Sequence, residues 1–377
     1  MKERHASERR QGLDLTGLYA ICATDMINDQ TKAEPKETAA ARIDVVAARR
    51  RIAHVTRNTP VIESELLNAK VGRRVLLKAE NLQVGGSYKF RGAYNRLSQL
   101  DQSERSRGAV AWSSGNHGIA VAIAARRIGA TAIVVAPFDA PSNKLERMRA
   151  EGAWIVPYDR RTQDRERIAR AIVQETHAIL VPSFDDPEII AGQGTVVMEL
   201  LEQARELSAE LNVILVPCGG GGLAAGSVLA VRSAESRSLV YAVEPDGFDD
   251  TALSLRAGRR VTIDLANRSS ICDALLVKSP GQLTFSINQG GLAGALSCSD
   301  QDVRTAVKFA FDELKLVLEP SGAVGLAALL AGRAPGGSTT VGIVLTGGGV
   351  DPSAYGDLIM ADALERTVSS ERPLATA

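Results

Sequence analysis

Cysteine is scarce in this chain: Cys22, Cys218, Cys272 and Cys298 lie far apart, with no CxxC pair and no histidine at metal-ligand spacing. That pattern speaks against both a zinc site and a disulfide framework, and it fits a reducing, cytoplasmic compartment. Aromatic residues amount to 4% of the chain, which leaves few platforms for base stacking. Neither sign of charge is in excess, since Lys plus Arg and Asp plus Glu number 44 each, so nothing electrostatic points to nucleic acid or an acidic membrane. Long hydrophobic runs are missing too. The segment from Leu15 to Ala23 follows a basic N-terminus, but it is short, interrupted and adjoined by Asp14, and it reads as a cytosolic tail rather than a signal sequence. What these absences leave is a small-molecule partner.

A length of 377 residues suffices for a large core and suggests two or three domains, or one large α/β unit with an insertion. Residues 1–40 mix charges, Thr, Pro and Gly without lasting periodicity and read as a disordered or loosely packed extension. From Ile43 the pattern changes. Val45, Val46, Ala48, Ile52 and Val55 recur at helical spacing, and Thr59-Pro60 ends the run. Apolar, strand-like runs follow at Val75 to Lys78, Ala109 to Trp112, Thr131 to Ala136, Trp154 to Pro157, Ile179 to Val181, Val213 to Pro217, Val240 to Val243 and Val341 to Leu345. Amphipathic helices are expected between them, near residues 119–128, 143–151, 165–175, 193–207, 223–234 and 300–314. Short apolar strands separated by helices indicate an α/β fold with mostly parallel sheets, because each parallel crossover needs a helix. Ala109 to Ser183 forms a compact βαβα block. We read residues 108–187 as a small, substrate-side domain inserted into a large, cofactor-binding domain of residues 41–107 and 188–377.

The chain is organised around Glu80 to Ala93, ENLQVGGSYKFRGA. Gly85 and Gly86 turn the backbone after a strand, Tyr88 offers a flat wall, and Phe90 onward reads as the start of a helix. A lysine near a helix N-terminus and other cations has its ammonium form disfavoured, so Lys89 is a candidate amine nucleophile toward an aldehyde. Taken alone, it is also consistent with a solvated surface charge.

Further on, Cys218-Gly219-Gly220-Gly221-Gly222-Leu223 follows an apolar strand and opens a helix. Stripped of side chains, such a loop lets several backbone N–H groups converge on a dianion at the positive end of the helix, which suits a phosphate. The bland alternative is a turn packed tightly on the sheet. A second alternative is a dinucleotide fold, with Gly219, Gly221 and Ala224 as GxGxxA and Glu244 as the ribose-binding acid. Ser113-Ser114-Gly115-Asn116-His117 likewise follows a strand and precedes a helix, and its hydroxyls, amide and N–H groups suit a carboxylate. Within it, His117 serves either as an acid–base group or as a structural hydrogen-bonder. A third turn, Thr346-Gly347-Gly348-Gly349, ends the strand at Leu345. Ligands in open α/β sheets collect at such strand ends.

In this order, GSYKFRGA, SSGNHG, GGGGL and TGGGVD resemble the fold-type II pyridoxal-phosphate enzymes, nearest the threonine dehydratase and serine racemase group, over roughly residues 43–358. Thr59-Pro60, Ala191-Gly192-Gln193-Gly194-Thr195 and Glu319-Pro320-Ser321-Gly322-Ala323 share the likeness. It implies two open, mostly parallel twisted sheets with helices on both faces. Lys89 would hold the aldehyde of pyridoxal 5'-phosphate as a Schiff base, Gly219, Gly220, Gly221, Gly222 and Leu223 its phosphate, and Asn116 its phenolic oxygen. Ser114 would face Lys89 across the cofactor, and Ser113 to His117 would receive the substrate carboxylate. Thr346 stands where relatives place Ser or Cys against the pyridine nitrogen. A neutral hydroxyl there makes a weaker electron sink, suited to elimination.

The likeness extends to Glu244-Pro245-Asp246-Gly247-Phe248-Asp249-Asp250, which resembles a divalent-metal segment of serine racemase-like members. The ligands would be Glu244, Asp250 and the carbonyl of Phe248, hard oxygens suited to Mg²⁺ or Ca²⁺. Gly85 in place of Thr, Thr346 in place of Ser or Cys, and Gly349 in place of Asn depart from the usual pattern, the first expected to widen or loosen the substrate end. The implied activity is an ammonia-lyase that converts a 3-hydroxy amino acid, of threonine, serine or threo-3-hydroxyaspartate type, to a 2-oxo acid and ammonia, with racemisation as a side activity. A homodimer without a feedback-regulatory domain is expected. The runner-up is a β-replacement synthase of the cysteine synthase type. An NAD-binding oxidoreductase and an inert cofactor-binding protein come after it.

Overall fold

In the computed structural model the described residues are 40, 42–337 and 339–360, so the extension expected before Ala40, with Cys22, lies outside them. The first helix, α1 (Val45–Ile52), is capped by Asp44, whose carboxylate accepts from Ala47 N at 2.8 Å. Then come β1 (Val61–Ile62), α2 (Glu65–Val71), β2 (Val75–Ala79), α3 (Lys89–Leu97) and α4 (Gln102–Arg107). The next stretch alternates β3 (Ala109–Trp112), α5 (Asn116–Arg127), β4 (Ala132–Pro137), α6 (Ser142–Ala150), β5 (Trp154–Tyr158), α7 (Arg165–Thr176) and β6 (Ile179–Leu180). The remainder comprises α8 (Pro187–Glu206), β7 (Val213–Pro217), α9 (Gly222–Ser233), β8 (Leu239–Pro245), α10 (Asp250–Ala257), α11 (Gln282–Asn288), β9 (Gly294–Cys298), α12 (Asp300–Asp312), α13 (Pro320–Leu330) and β10 (Val341–Leu345).

Two sheets result. One has six strands in the order β1-β2-β10-β7-β8-β9, parallel except for β1, which runs antiparallel to β2. The other has four parallel strands in the order β5-β4-β3-β6 and is built from a segment that interrupts the first sheet in sequence. Every strand expected from an apolar run is present. Among the elements that escape such a reading, two do so for opposite reasons. α13 is buried on nearly all sides, so its apolar residues show no stripe. β9, Gly294 to Cys298, is mostly half-buried and contains no apolar run at all.

The central strands are buried on both faces. In β2, Val75 and Leu77 enter one apolar cluster and Leu76 enters the other. Strand alternation then puts Lys78 on the Leu76 side, beneath α8. α3 and α8 cross closely enough that a Cβ at Gly192 would lie 2.6 Å from the Arg91 carbonyl and 2.7 Å from Gly92 Cα. Glycine is required there by contact between two backbones.

Candidate active site

Strand order brings the three glycine-containing turns of the large sheet together. β2, β10 and β7 are neighbours and parallel, so the segment leading to Lys89, the Thr346 turn and the Gly219–Gly222 loop leave the same end of the sheet. The Ser113–His117 turn leaves the matching end of β3 in the other sheet. Between them lies a cavity of about 140 Å³ lined by Lys89, residues 113–117, residues 219–223 and Thr346.

Lys89 is the first residue of α3, and its Nζ donates to the Ser183 carbonyl at 2.8 Å and sits 5.1 Å from the centroid of the Tyr88 ring. Burial lowers its ammonium to about 8, against the pull of the Glu319 carboxylate in the other direction. The sequence suggests neighbouring cations as the cause; the structure assigns the effect to desolvation. The nearest cation in sequence, Arg91, is turned to the opposite side of the helix and engaged elsewhere.

Arg91 is fully buried between two carboxylates. It donates to both oxygens of Glu80 at 2.8 Å, and to Glu199 Oε1 at 2.9 Å and Oε2 at 2.8 Å. Lys78 Nζ completes the network through Glu199 Oε2 at 2.9 Å, the Thr59 carbonyl at 2.7 Å and Gln203 Oε1 at 2.7 Å. Burial by itself would lower the Arg91 guanidinium, but Glu80 and Glu199 outweigh it and hold the charge in place. These residues tie α3 to β2 and α8 and fix the helix from which Lys89 projects.

The glycine loop is held from behind by α11. The Gly220 carbonyl accepts from Thr284 Oγ1 at 2.7 Å and from Gly281 N at 3.2 Å, and the Gly221 carbonyl accepts from Asn288 Nδ2 at 3.3 Å. In a trans peptide N–H and C=O point oppositely, so the N–H groups of Gly221 and Gly222 face away from α11, at the start of α9. Gly221 takes φ +90°, and a Cβ at Gly220 would collide with the Phe184 ring. Gly220, Gly221 and Gly222 thus admit no side chain, which gives the loop the form of an anion cradle.

In the Ser113–His117 turn, Ser113 Oγ accepts from Gly115 N at 3.1 Å. Asn116 Nδ2 donates to Glu319 Oε1 at 2.5 Å. His117 is buried and donates from Nε2 to the Val181 carbonyl at 2.8 Å. Burial, with Lys89 nearby, brings its imidazole down to about 3, so it stays neutral as a structural hydrogen-bonder. Thr346 is buried, and its carbonyl accepts from Tyr88 N at 3.1 Å. Gly85 has φ +77°, and a Cβ there would come within 3.0 Å of Ile123 Cδ1, outside the residues that line the cavity.

Several lining residues had no signal in the sequence: Lys144, Arg165, Ser183, Phe184 and Asp273. Glu319, also in the lining, stood out only through the likeness carried by the Glu319-Pro320-Ser321-Gly322-Ala323 segment, which gave it no role. Lys144 Nζ pairs with Asp273 at 3.0 Å, and it lies 3.5 Å from where a Gly115 Cβ would be.

Glu244, Phe248 and Asp250 lie away from the cavity. Glu244 accepts from Thr251 N at 2.8 Å and Ala252 N at 3.0 Å, at the N-terminal end of α10, which removes it from any ribose-binding role. Both Asp250 oxygens are buried without a donor. Burial, reinforced by Asp250, pushes Glu244 up to about 8, and burial pushes Asp250 up to about 7. Among the described residues no cluster of three or more metal-ligating side chains occurs, so a cation here would complete its shell with backbone and water oxygens. The orphaned carboxylate and the all-oxygen donor set fit a hard divalent ion.

Residues 52–347 match the family described as pyridoxal-phosphate dependent enzyme. The chain is 40% identical over 316 residues to an L-threo-3-hydroxyaspartate ammonia-lyase of Pseudomonas sp, covering 84% of this chain and 97% of that one. It is 37% identical over 312 residues to a serine racemase of Schizosaccharomyces pombe, covering 83% and 95% respectively. Among solved structures, a maize serine racemase superposes with a TM-score of 0.78 at 36% identity, over 86% of this chain and 98% of that one. A buried amine beside a glycine cradle, in a fold shared along nearly the whole length of these relatives, places the chain in the family of pyridoxal-phosphate dependent enzymes.

Proposed function

We propose that the protein is an ammonia-lyase acting on a 3-hydroxy amino acid, of the threo-3-hydroxyaspartate, serine or threonine type. The observation that carries this reading is the meeting of Lys89, the Ser113–His117 turn and the Gly219–Gly222 cradle around one cavity. Lys89 Nζ would hold the cofactor aldehyde, the backbone of Gly219 to Leu223 its phosphate, Asn116 its ring oxygen and Thr346 its ring nitrogen. When bound, pyridoxal phosphate supplies a sink for the electron pair left on the substrate α-carbon.

The chain's own residues do the rest. The Ser113–His117 turn receives the α-carboxylate on its hydroxyls and N–H groups. Lys89, with its ammonium already lowered to about 8, is a suitable base for the α-proton once its amine is free. Loss of the β-hydroxyl as water and hydrolysis of the released enamine give a 2-oxo acid and ammonia. Ser114, on the same cavity wall, would carry a proton to the opposite face, so that racemisation accompanies elimination. A cation in the lining, Arg165, supports a second carboxylate on the substrate, as in hydroxyaspartate, and Lys144, paired with Asp273, stands beside it.

Ammonia release over a panel of 3-hydroxy amino acids, with and without added sulfide, tests the reading. A preference for hydroxyaspartate over threonine is expected, with Ser114→Ala losing α-hydrogen exchange on the second face. Release of a sulfide-substituted amino acid in place of ammonia would show the β-replacement reaction instead. The metal at Glu244, Phe248 and Asp250 and the homodimer belong to the same proposal. The buried free thiols of Cys218, Cys272 and Cys298 support a reducing compartment. No helix of the described residues is long and apolar enough to cross a membrane.

A further inference from the structure

The cavity wall carries a carboxylate for which the reaction above has no use. Glu319 precedes α13 and is 3% exposed. Its Oε1 takes a hydrogen from Asn116, while its Oε2 and Asn116 Oδ1 are both buried acceptors with no donor. Two such neighbours are short of hydrogens, a costly state unless a proton or a ligand supplies one. The turn after β10 leaves room for the pair: a Cβ at Gly347 would collide with Glu319, and one at Gly349 would lie 2.8 Å from Asn116 Oδ1.

An asparagine amide donates from one end and accepts at the other, so a fixed partner decides which end is left for a third group. An ionised Glu319 only accepts and claims Nδ2. A protonated Glu319 has a hydrogen to give and satisfies Oδ1 instead. We infer that Glu319 is a titrating positioning residue: taking a proton from solvent, it reorients the Asn116 amide and changes the hydrogen bond Asn116 offers to the ring oxygen of bound pyridoxal phosphate. The inference rests on the reading that Asn116 faces that oxygen. Burial pushes the Glu319 carboxyl up to about 7, Lys144 draws it down, Asp273 pushes it up, and the Asn116 amide and the Gly349 backbone N–H draw it down. Lys89 and Tyr88 face it from α3 and the residue before it. Glu319 therefore changes state near neutrality.

The test follows the visible absorbance of the cofactor in the holoenzyme as pH is varied. The wild type should show a transition near the Glu319 value of about 7. Lys144→Met should move it to higher pH and Asp273→Asn to lower pH. Glu319→Gln should remove it with the cofactor still bound, and Glu319→Asp should restore one. Asn116→Ala should uncouple the spectrum from pH. A wild type with no transition, or one that persists in Glu319→Gln or Asn116→Ala, overturns the inference and leaves the cofactor site intact. Should Glu319→Gln fail to fold, shifts of the same sign in the Lys144 and Asp273 variants overturn it. Absence of any cofactor band removes the functional reading as well.

Discussion

Two buried polar clusters lie within a turn of each other on α3, and they differ in how well their hydrogen bonds are matched. Around Arg91, the groups of Glu80, Glu199, Lys78 and Arg91 itself all find partners inside the protein. Around Lys89, the acceptors Asn116 Oδ1, His117 Nδ1, Gln193 Oε1 and Glu319 Oε2 are left without donors. A native fold rarely tolerates such atoms, so matched clusters act as scaffold and unmatched ones await a ligand. Residues two apart on a helix project about 200° from each other, which is how neighbours in sequence serve opposite purposes.

Breaking each cluster should therefore fail differently. The largest effect is expected on activity: Lys89→Ala should lower ammonia release by at least about 10³-fold and abolish the visible absorbance of the cofactor, with urea stability held. A coloured, active variant would end the assignment. Arg91→Ala leaves the buried Glu80 without its counter-charge, while Glu199 keeps Lys78, and should cost about 3–5 kcal/mol in urea unfolding. A loss below about 1 kcal/mol would show that the network is not the scaffold.

Asp250 extends the comparison, since its orphaned oxygens mark it by the same rule as a ligand site. Glu244 and Asp250 are held near 8 and 7, above their unfolded values, so the native state keeps protons that the unfolded chain releases. Their contribution to stability is complete below the unfolded carboxyl range of about 4 and is lost as pH rises through 7 and 8. In EDTA the unfolding temperature should fall over that range. Mg²⁺ or Ca²⁺ at a hundred times its dissociation constant should restore about 2.7 kcal/mol, and Asp250→Asn should remove the response. The smallest effect is expected at the helix crossing: Gly192→Ala forces α3 from α8 and should cost about 1–3 kcal/mol, with a loss of activity as Lys89 shifts. Full activity in that variant would separate Lys89 from its scaffold.

Much of the site was legible because its parts are local. Lys89 after Gly85-Gly86, the glycine run after Val213 to Pro217, and the Ser113 turn after Ala109 to Trp112 each announce themselves by an apolar strand followed by turn chemistry. His117 was ambiguous, and only its burial against the Val181 carbonyl decided for a structural role. Lys144 and Asp273 were silent, since a single charged residue looks the same in solvent and in a cavity wall.

The amino-acid sequence alone determined the alternation of strands and helices and the order of the glycine-rich turns, because both depend on short-range propensity and backbone freedom. The tertiary structure alone decided that β2, β10 and β7 lie side by side, that Arg91 and Lys78 hold the scaffold, and that Glu319 meets Asn116. Those outcomes depend on burial and on pairings between residues far apart in the chain, and no local pattern of residues encodes them.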